Sequence, residues 1–150
     1  MKIVFLKSQK DLASVKAGDM IESESSELLR KAVSKKVLVN PLNAKNFFRD
    51  DALVRSIAES NSTFAIPLSV ISNARGSSRA RLLRDLKLFF RLCFRLKAKF
   101  VFTNAYAKTK FDVKGKRDVR AIGSLFALTP LQAKEAFENG GAEVLTGSKK

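Results

Sequence analysis

Five short apolar segments recur along the chain, each followed by a stretch of helical spacing, and no other feature constrains the fold as much. KIVFLK at 2–7, DMIES at 19–23, VLVN at 37–40, FAIPLSV at 64–70 and FVFT at 100–103 are near-continuously apolar and rich in β-branched and aromatic residues. Each reads as a strand, although Pro67 counts against central pairing of the fourth. Helices are predicted over 10–16, 26–34, 50–60, 78–97 and 116–128. Leu28, Leu29, Ala32 and Val33 recur at helical spacing in the second, and Leu53, Val54, Ile57 and Ala58 in the third. Gly18 closes the first and Pro41 stops the third strand. Thr129-Pro130-Leu131-Gln132 has the form of a capping box with proline at the first helical position. A further helix is predicted from there to about Asn139, ended by Gly140-Gly141, with a frayed polar tail over 148–150. Strand then helix, five times over, predicts an α/β fold with a parallel sheet covered by helices. Five strands are too few to close an eight-stranded barrel. With no internal repeat or low-complexity linker, the 150 residues are expected to form a single domain.

Charge is the second constraint. The chain holds 29 Lys and Arg against 14 Asp and Glu, a net charge of +15. Such an excess opposes compaction and points to a polyanionic partner. It is concentrated: residues 73–120 carry 15 of the basic and only 3 of the acidic residues. Histidine is absent, which removes Ser–His and Cys–His catalysis and most zinc sites. The single cysteine, Cys93, permits no intramolecular disulfide and fits a reducing, cytoplasmic setting. No apolar run approaches the roughly 18 residues of a membrane span. The first ten residues have too short an apolar run for a signal peptide.

The basic half centres on NARGSSRARLLRDLKLFFRLCFRLK, residues 73–97. At about 100° per residue, Leu82, Leu86, Phe89, Phe90, Cys93 and Leu96 fall in one broad arc. Arg84, Lys87, Arg91 and Arg95 fall in a narrow arc opposite, a row of cations about 16 Å long. A solvated helix face normally mixes charge, because like charges at i,i+4 repel by a few tenths of a kcal/mol. Only Asp85 interrupts this one. Arg75, Arg79 and Arg81 bring further cations to the helix N-terminus, itself suited to anions. Arginine outnumbers lysine six to two across 73–97, and its planar fork matches phosphate. A second cluster, Lys108, Lys110, Lys114, Lys116 and Arg117, is interleaved with Tyr106 and Phe111, a composition suited to RNA. These twelve cations are the predicted RNA-binding set. A membrane surface fits less well, since the apolar arc is required by the core.

Three motifs carry a family resemblance. Arg75-Gly76-Ser77-Ser78-Arg79-Ala80-Arg81-Leu82-Leu83 is close to G-x-x-R-A-R-L-L. Thr103-Asn104-Ala105 at a strand end is like S-x-A. Phe111-Asp112-Val113-Lys114-Gly115-Lys116-Arg117-Asp118-Val119 is similar to Y-D-L-R-S-P-R-D-L. In order and spacing, over about residues 64–138, the chain resembles archaeal ribonuclease P protein component 3, the family that includes the thirty-kilodalton subunit of the eukaryotic enzyme. Lys116 stands where the family has proline. The resemblance implies an incomplete TIM-like barrel, related to phosphoesterases of the polymerase and histidinol phosphatase type and shortened at the N-terminus. It implies a non-catalytic subunit of a ribonucleoprotein that removes the 5′ leader from precursor tRNA. The catalyst would be the ribonuclease P RNA, with Mg²⁺ held by that RNA and no cofactor held by the protein. The implied protein partner is a small ferredoxin-like subunit, in an assembly up to a heterotetramer.

Other constellations have bland readings beside sharp ones. Asp50-Asp51 could be a metal pair or the cap of the following helix. Glu22, Glu24 and Glu27 could be acid–base groups, or Ser25, Ser26 and Glu27 could open a helix. Cys93 sits in the core arc as a small hydrophobe. Gly123, inside a predicted helix, points to close packing. Asp112 and Asp118 suit the shaping of the last basic loop around Arg117. The phosphoesterases of related fold need His, Asp or Glu at strand ends, where this chain is expected to place Asn40, Asn73 and Asn104. A stand-alone phosphoesterase or nuclease and a general RNA chaperone remain the competing functions.

Overall fold

The computed structural model describes residues 2–105, 116–126, 128, 129, 131 and 132. Five strands, β1 (Ile3–Phe5), β2 (Met20–Glu22), β3 (Leu38–Asn40), β4 (Thr63–Pro67) and β5 (Phe100–Thr103), form one parallel sheet in the order β1-β2-β3-β4-β5. Ile3 lies opposite Met20, Met20 opposite Leu38, and Leu38 opposite Thr63. The helices are α1 (Ser26–Ala32), α2 (Asp51–Ala58), α3 (Leu68–Asn73), α4 (Gly76–Leu96) and α5 (Lys116–Leu125). The α/β class and the five parallel strands agree with the sequence. The sheet is open, with β1 and β5 as its edges.

Strand order carries information here. Neighbours in sequence are neighbours in the sheet, and right-handed crossovers then send successive helices to the same face. α1 and α2 do pack against each other. Their starts follow from side-chain caps. The Ser25 hydroxyl accepts the Leu28 N–H (3.4 Å) and the Asp50 carboxylate accepts the Leu53 N–H (3.0 Å). Asp50 is therefore a cap, and no group of metal-ligating side chains occurs among the described residues.

The sequence misplaces three boundaries. The fourth strand was expected over 64–70, but β4 ends at Pro67 and residues 68–73 form α3. Proline has no N–H for the ladder, and as the residue before α3 it turns the chain into a helix whose β-branched Val70 and Ile71 had suggested a strand. The helix expected over 10–16 is a 3₁₀ turn, Gln9–Ser14. α5 stops at Leu125 rather than 128, because the Phe126 and Leu128 N–H groups both donate to the Gly123 carbonyl (3.0 and 3.1 Å) and close the helix. The capping box is present: the Thr129 hydroxyl accepts the Gln132 N–H (3.1 Å) and the Gln132 carbonyl oxygen accepts the Thr129 N–H (2.9 Å). The rest of that predicted helix, the Gly140-Gly141 stop and the tail lie outside the described residues.

The chain forms two compact units. One comprises Met1–Ala65 with Arg91–Phe100, the other Ile66–Phe90 with the chain from Val101 onward. In the first, Ile21, Val39 and Phe64 share one face of the sheet by register and are wholly buried, as are Leu29, Leu53 and Val54 of the helices. The second is built around aromatic rings. Phe90 meets Phe89 (centroids 5.9 Å), Phe102 (5.9 Å) and Phe126 (5.1 Å) at tilted or edge-to-face angles. All four are buried. Leu86 completes the inward row of α4 ahead of them. Phe90→Ala removes the common member of three ring contacts. It is expected to lower stability by about 3–5 kcal/mol, read as a fall in the urea midpoint at unchanged slope; a loss below about 1 kcal/mol would show that the site is not a packed core.

Candidate nucleic-acid interface

α4 is helical because nothing in it objects. From Gly76 to Leu96 it has no proline and no β-branched residue, and it is filled with Leu, Arg and Lys. Its start turns on Gly76, at φ +58, where a Cβ would meet no atom within 4 Å but would strain the backbone. Its end is a Schellman closure: Lys97 adopts φ +61 and the Ala98 N–H donates to the Cys93 carbonyl (2.9 Å).

The phase expected from the sequence holds. Leu86, Phe89, Phe90 and Cys93 are buried, and Leu82 and Leu96 are half-buried. Burial pushes the Cys93 thiol far up from its usual value, so it is a core group and not a thiolate nucleophile. Arg84, Lys87, Arg91 and Arg95 are all exposed, as are Arg75 and Arg81. The row is not uniformly available. Arg84 pairs with Asp85 (3.0 Å), and Arg95 with Asp51 (3.3 Å) at the start of α2. Among the described residues, no carboxylate lies within ion-pair distance of Lys87 or Arg91. The Arg95–Asp51 pair is exposed on both sides, and such pairs contribute little, on the order of 0–1 kcal/mol, so a phosphate competes easily with Asp51.

Two arginines of the shared motif are tied down. Arg75 donates to the Ser72 and Ala74 carbonyls (2.6 and 2.9 Å), and Arg79, half-buried, donates to the Ile71 carbonyl (3.0 Å). Both satisfy carbonyls at the end of α3, a role no sequence pattern announces. Each guanidinium has five N–H donors, so donors remain for a ligand. The second motif is also inward: Thr103 and Asn104 are buried, and the Thr103 hydroxyl accepts the Ala105 N–H (2.9 Å), turning the chain out of β5. Lys108, Lys110 and Lys114, with Tyr106, Phe111 and Asp112, lie outside the described residues. Lys116 and Arg117 open α5, and Asp118 follows them in its first turn.

Asparagines stand near two of the strand ends, Asn40 as the last residue of β3 and Asn104 directly after β5. Asn40 is buried, donates to Glu22 (3.2 Å) and accepts the Leu42 N–H (3.1 Å). Asn73, expected at a strand end, is instead the last residue of α3, because β4 ended six residues earlier. Glu27 pairs with Lys31 one turn on (3.2 Å). A cleft of about 440 Å³ opens beside the ends of β1 and β2, lined by Phe5, Leu6, Lys7, Ser23, Glu24 and Ser25. The Ser23 hydroxyl there donates to the Leu6 carbonyl (2.6 Å) and accepts the Ser25 N–H (3.0 Å), so it is committed to the backbone.

The sequence reading missed two exposed apolar side chains on α4, Leu88 (40% exposed) and Phe94 (46%). The signal was available: at 100° per residue they fall on either flank of the cationic arc, outside the apolar one. No protein-family model and no curated protein matches the chain.

The tether and the row make opposite predictions. Arg79→Gln strands the Ile71 carbonyl and is expected to cost about 1 kcal/mol. Lys87→Gln and Arg91→Gln are each expected to stay within about 0.5 kcal/mol of the parent. Thermal melts of the three single variants separate the roles, and equal losses would contradict them.

Proposed function

We propose that this protein is a non-catalytic RNA-binding subunit of ribonuclease P, which supports the catalytic RNA as it removes the 5′ leader from precursor tRNA. One observation carries the proposal: a long, well-packed helix turns an exposed cationic row to solvent, with Lys87 and Arg91 unpaired among the described residues. Neutralised phosphates release their counterions, and that is the gain such a row offers. Phosphate contacts of this kind set register and orientation rather than reading sequence.

Two further points support the choice of particle. The motifs Arg75–Leu83, Thr103–Ala105 and Phe111–Val119 resemble component 3 of the archaeal enzyme in order and spacing. The sequential strand order suits a segment of a singly wound, TIM-like barrel, the fold that resemblance implies. On this reading the Mg²⁺ ions belong to the RNA. The protein partners are a small ferredoxin-like subunit and, through the RNA, precursor tRNA. The chain carries no histidine for the chemistry of the related phosphoesterases, and its buried Asn40 is spent on Glu22 and the backbone.

Binding of the ribonuclease P RNA should weaken steeply with salt. With about six phosphate contacts, each contributing roughly 0.7–0.9 to the log–log slope, affinity should drop on the order of 10³-fold between about 50 and 200 mM salt. Lys87→Gln with Arg91→Gln should flatten the slope by about 2, roughly one per contact. The same pair of changes should reduce stimulation of precursor-tRNA cleavage in particles reconstituted with the RNA and the partner subunits. A slope near zero, or full stimulation by the double variant, contradicts the proposal.

A further inference from the structure

We infer that Phe94 is a stacking platform for an unpaired RNA base, so that the end of α4 recognises single-stranded rather than duplex RNA. The inference rests on the RNA-binding reading and makes it more specific. Phe94 is 46% exposed, on a helix whose other phenylalanines, Phe89 and Phe90, are buried. Its surroundings are cationic. Arg91 stands one turn before it, Arg95 beside it and Lys97 one turn after, and all three are exposed. Residues three apart on a helix are surface neighbours, so Arg91 stands beside the ring, while Arg95 follows it directly and Lys97 lies just past the helix end at φ +61. Among the described residues, Asp51 is the carboxylate that pairs with this group, holding Arg95 at 3.3 Å.

The ring is also held in place. Phe94 packs edge-to-face with Phe100, with centroids 5.6 Å apart and planes at 73°. In such a pair Phe100 covers at most one face of the ring, and Phe94 keeps 46% of its surface exposed. A fixed aromatic face loses little freedom when a base settles on it. Cations around an aromatic ring match what a nucleotide offers, a phosphate and a flat π-system, and they are the features by which single strands are bound without sequence preference. An A-form duplex offers its phosphates but keeps its base faces stacked inside, so it could use Arg91, Arg95 and Lys97 and not Phe94. That difference fixes the ligand as unpaired RNA.

The chain has no tryptophan, so Phe94→Trp installs a single indole at the proposed contact. Full-length protein carrying this change is titrated with a short oligouridylate, a short oligoadenylate and an RNA duplex of similar length. Emission should be quenched by both single strands and not by the duplex. In parallel, Phe94→Ala should weaken single-strand binding by about 5- to 150-fold, the effect of losing one stacked base, with the salt slope unchanged. Its duplex affinity should stay within about twofold. Phe94→Leu keeps an apolar contact with Phe100 but has no ring, and the same loss is expected of it even if the alanine variant folds poorly. Unquenched indole together with unaltered single-strand binding by the leucine variant overturns the inference while leaving the RNA-binding reading standing. Failure of the parent protein to bind any of the three RNAs overturns both.

Discussion

The roll of α4 about its own axis is set by the side chains it buries, Phe90 foremost, and the exposure of its cationic row follows from that roll. Phe90 contacts Phe89, Phe102 and Phe126, and all four rings are buried. A helix turns 100° per residue, so fixing Phe90 inward fixes every other position. Leu86 and Cys93 follow it into the core, and Arg84, Lys87, Arg91 and Arg95 are sent to solvent. Slipping the phase by a single residue would bury Arg91 in one direction or Asp85 in the other, at a cost of several kcal/mol for an unpaired charge. The apolar content of this segment and its cationic content are thus one design: the first anchors the helix and the second is what the anchoring displays.

That display has a cost, and the structure offsets only part of it. Like charges one turn apart repel by a few tenths of a kcal/mol each. Arg84 finds Asp85 and Arg95 finds Asp51, whereas Lys87 and Arg91 between them have no carboxylate partner among the described residues. The unpaired pair sits mid-row, where a polyanion would gain most by binding. At the N-terminal end the picture differs. Arg75 and Arg79 are spent partly on the carbonyls that close α3, so these motif residues shape the loop as well as offering donors. Arg75 and Arg79 thus contribute to loop architecture whatever else they bind.

Much of the fold could be read from the chain because local and long-range signals agree. Residues 37–39 and 100–102 are runs of consecutive apolar residues, the pattern of strands in a covered parallel sheet. Asp50 caps α2 and Thr129 with Gln132 forms the reciprocal box, both by side-chain chemistry that acts within three residues. The failures arise where tertiary context decides. Val70 and Ile71 favour a strand by propensity, yet Pro67 ends the ladder and Ile71 is buried within a helix. Arg79 looks like any other cation until its guanidinium is placed on the Ile71 carbonyl, eight residues back. Phe94 belongs to neither the apolar arc nor the cationic row, and its angle places it on the flank of the latter. For Ile71 and Arg79 the deciding partner is one that sequence spacing does not name, whereas the place of Phe94 was legible from its helical angle.

The most direct test of α4 as an RNA surface is recovery of the protein from cells with its bound RNA, followed by sequencing of that RNA. Expressed in its own host, the tagged full-length protein should enrich the ribonuclease P RNA above all others. A version with Lys87 and Arg91 changed to Gln should lose most of that enrichment while remaining folded. Enrichment of no RNA, or equal enrichment by the two proteins, would contradict the assignment of α4's exposed face to RNA.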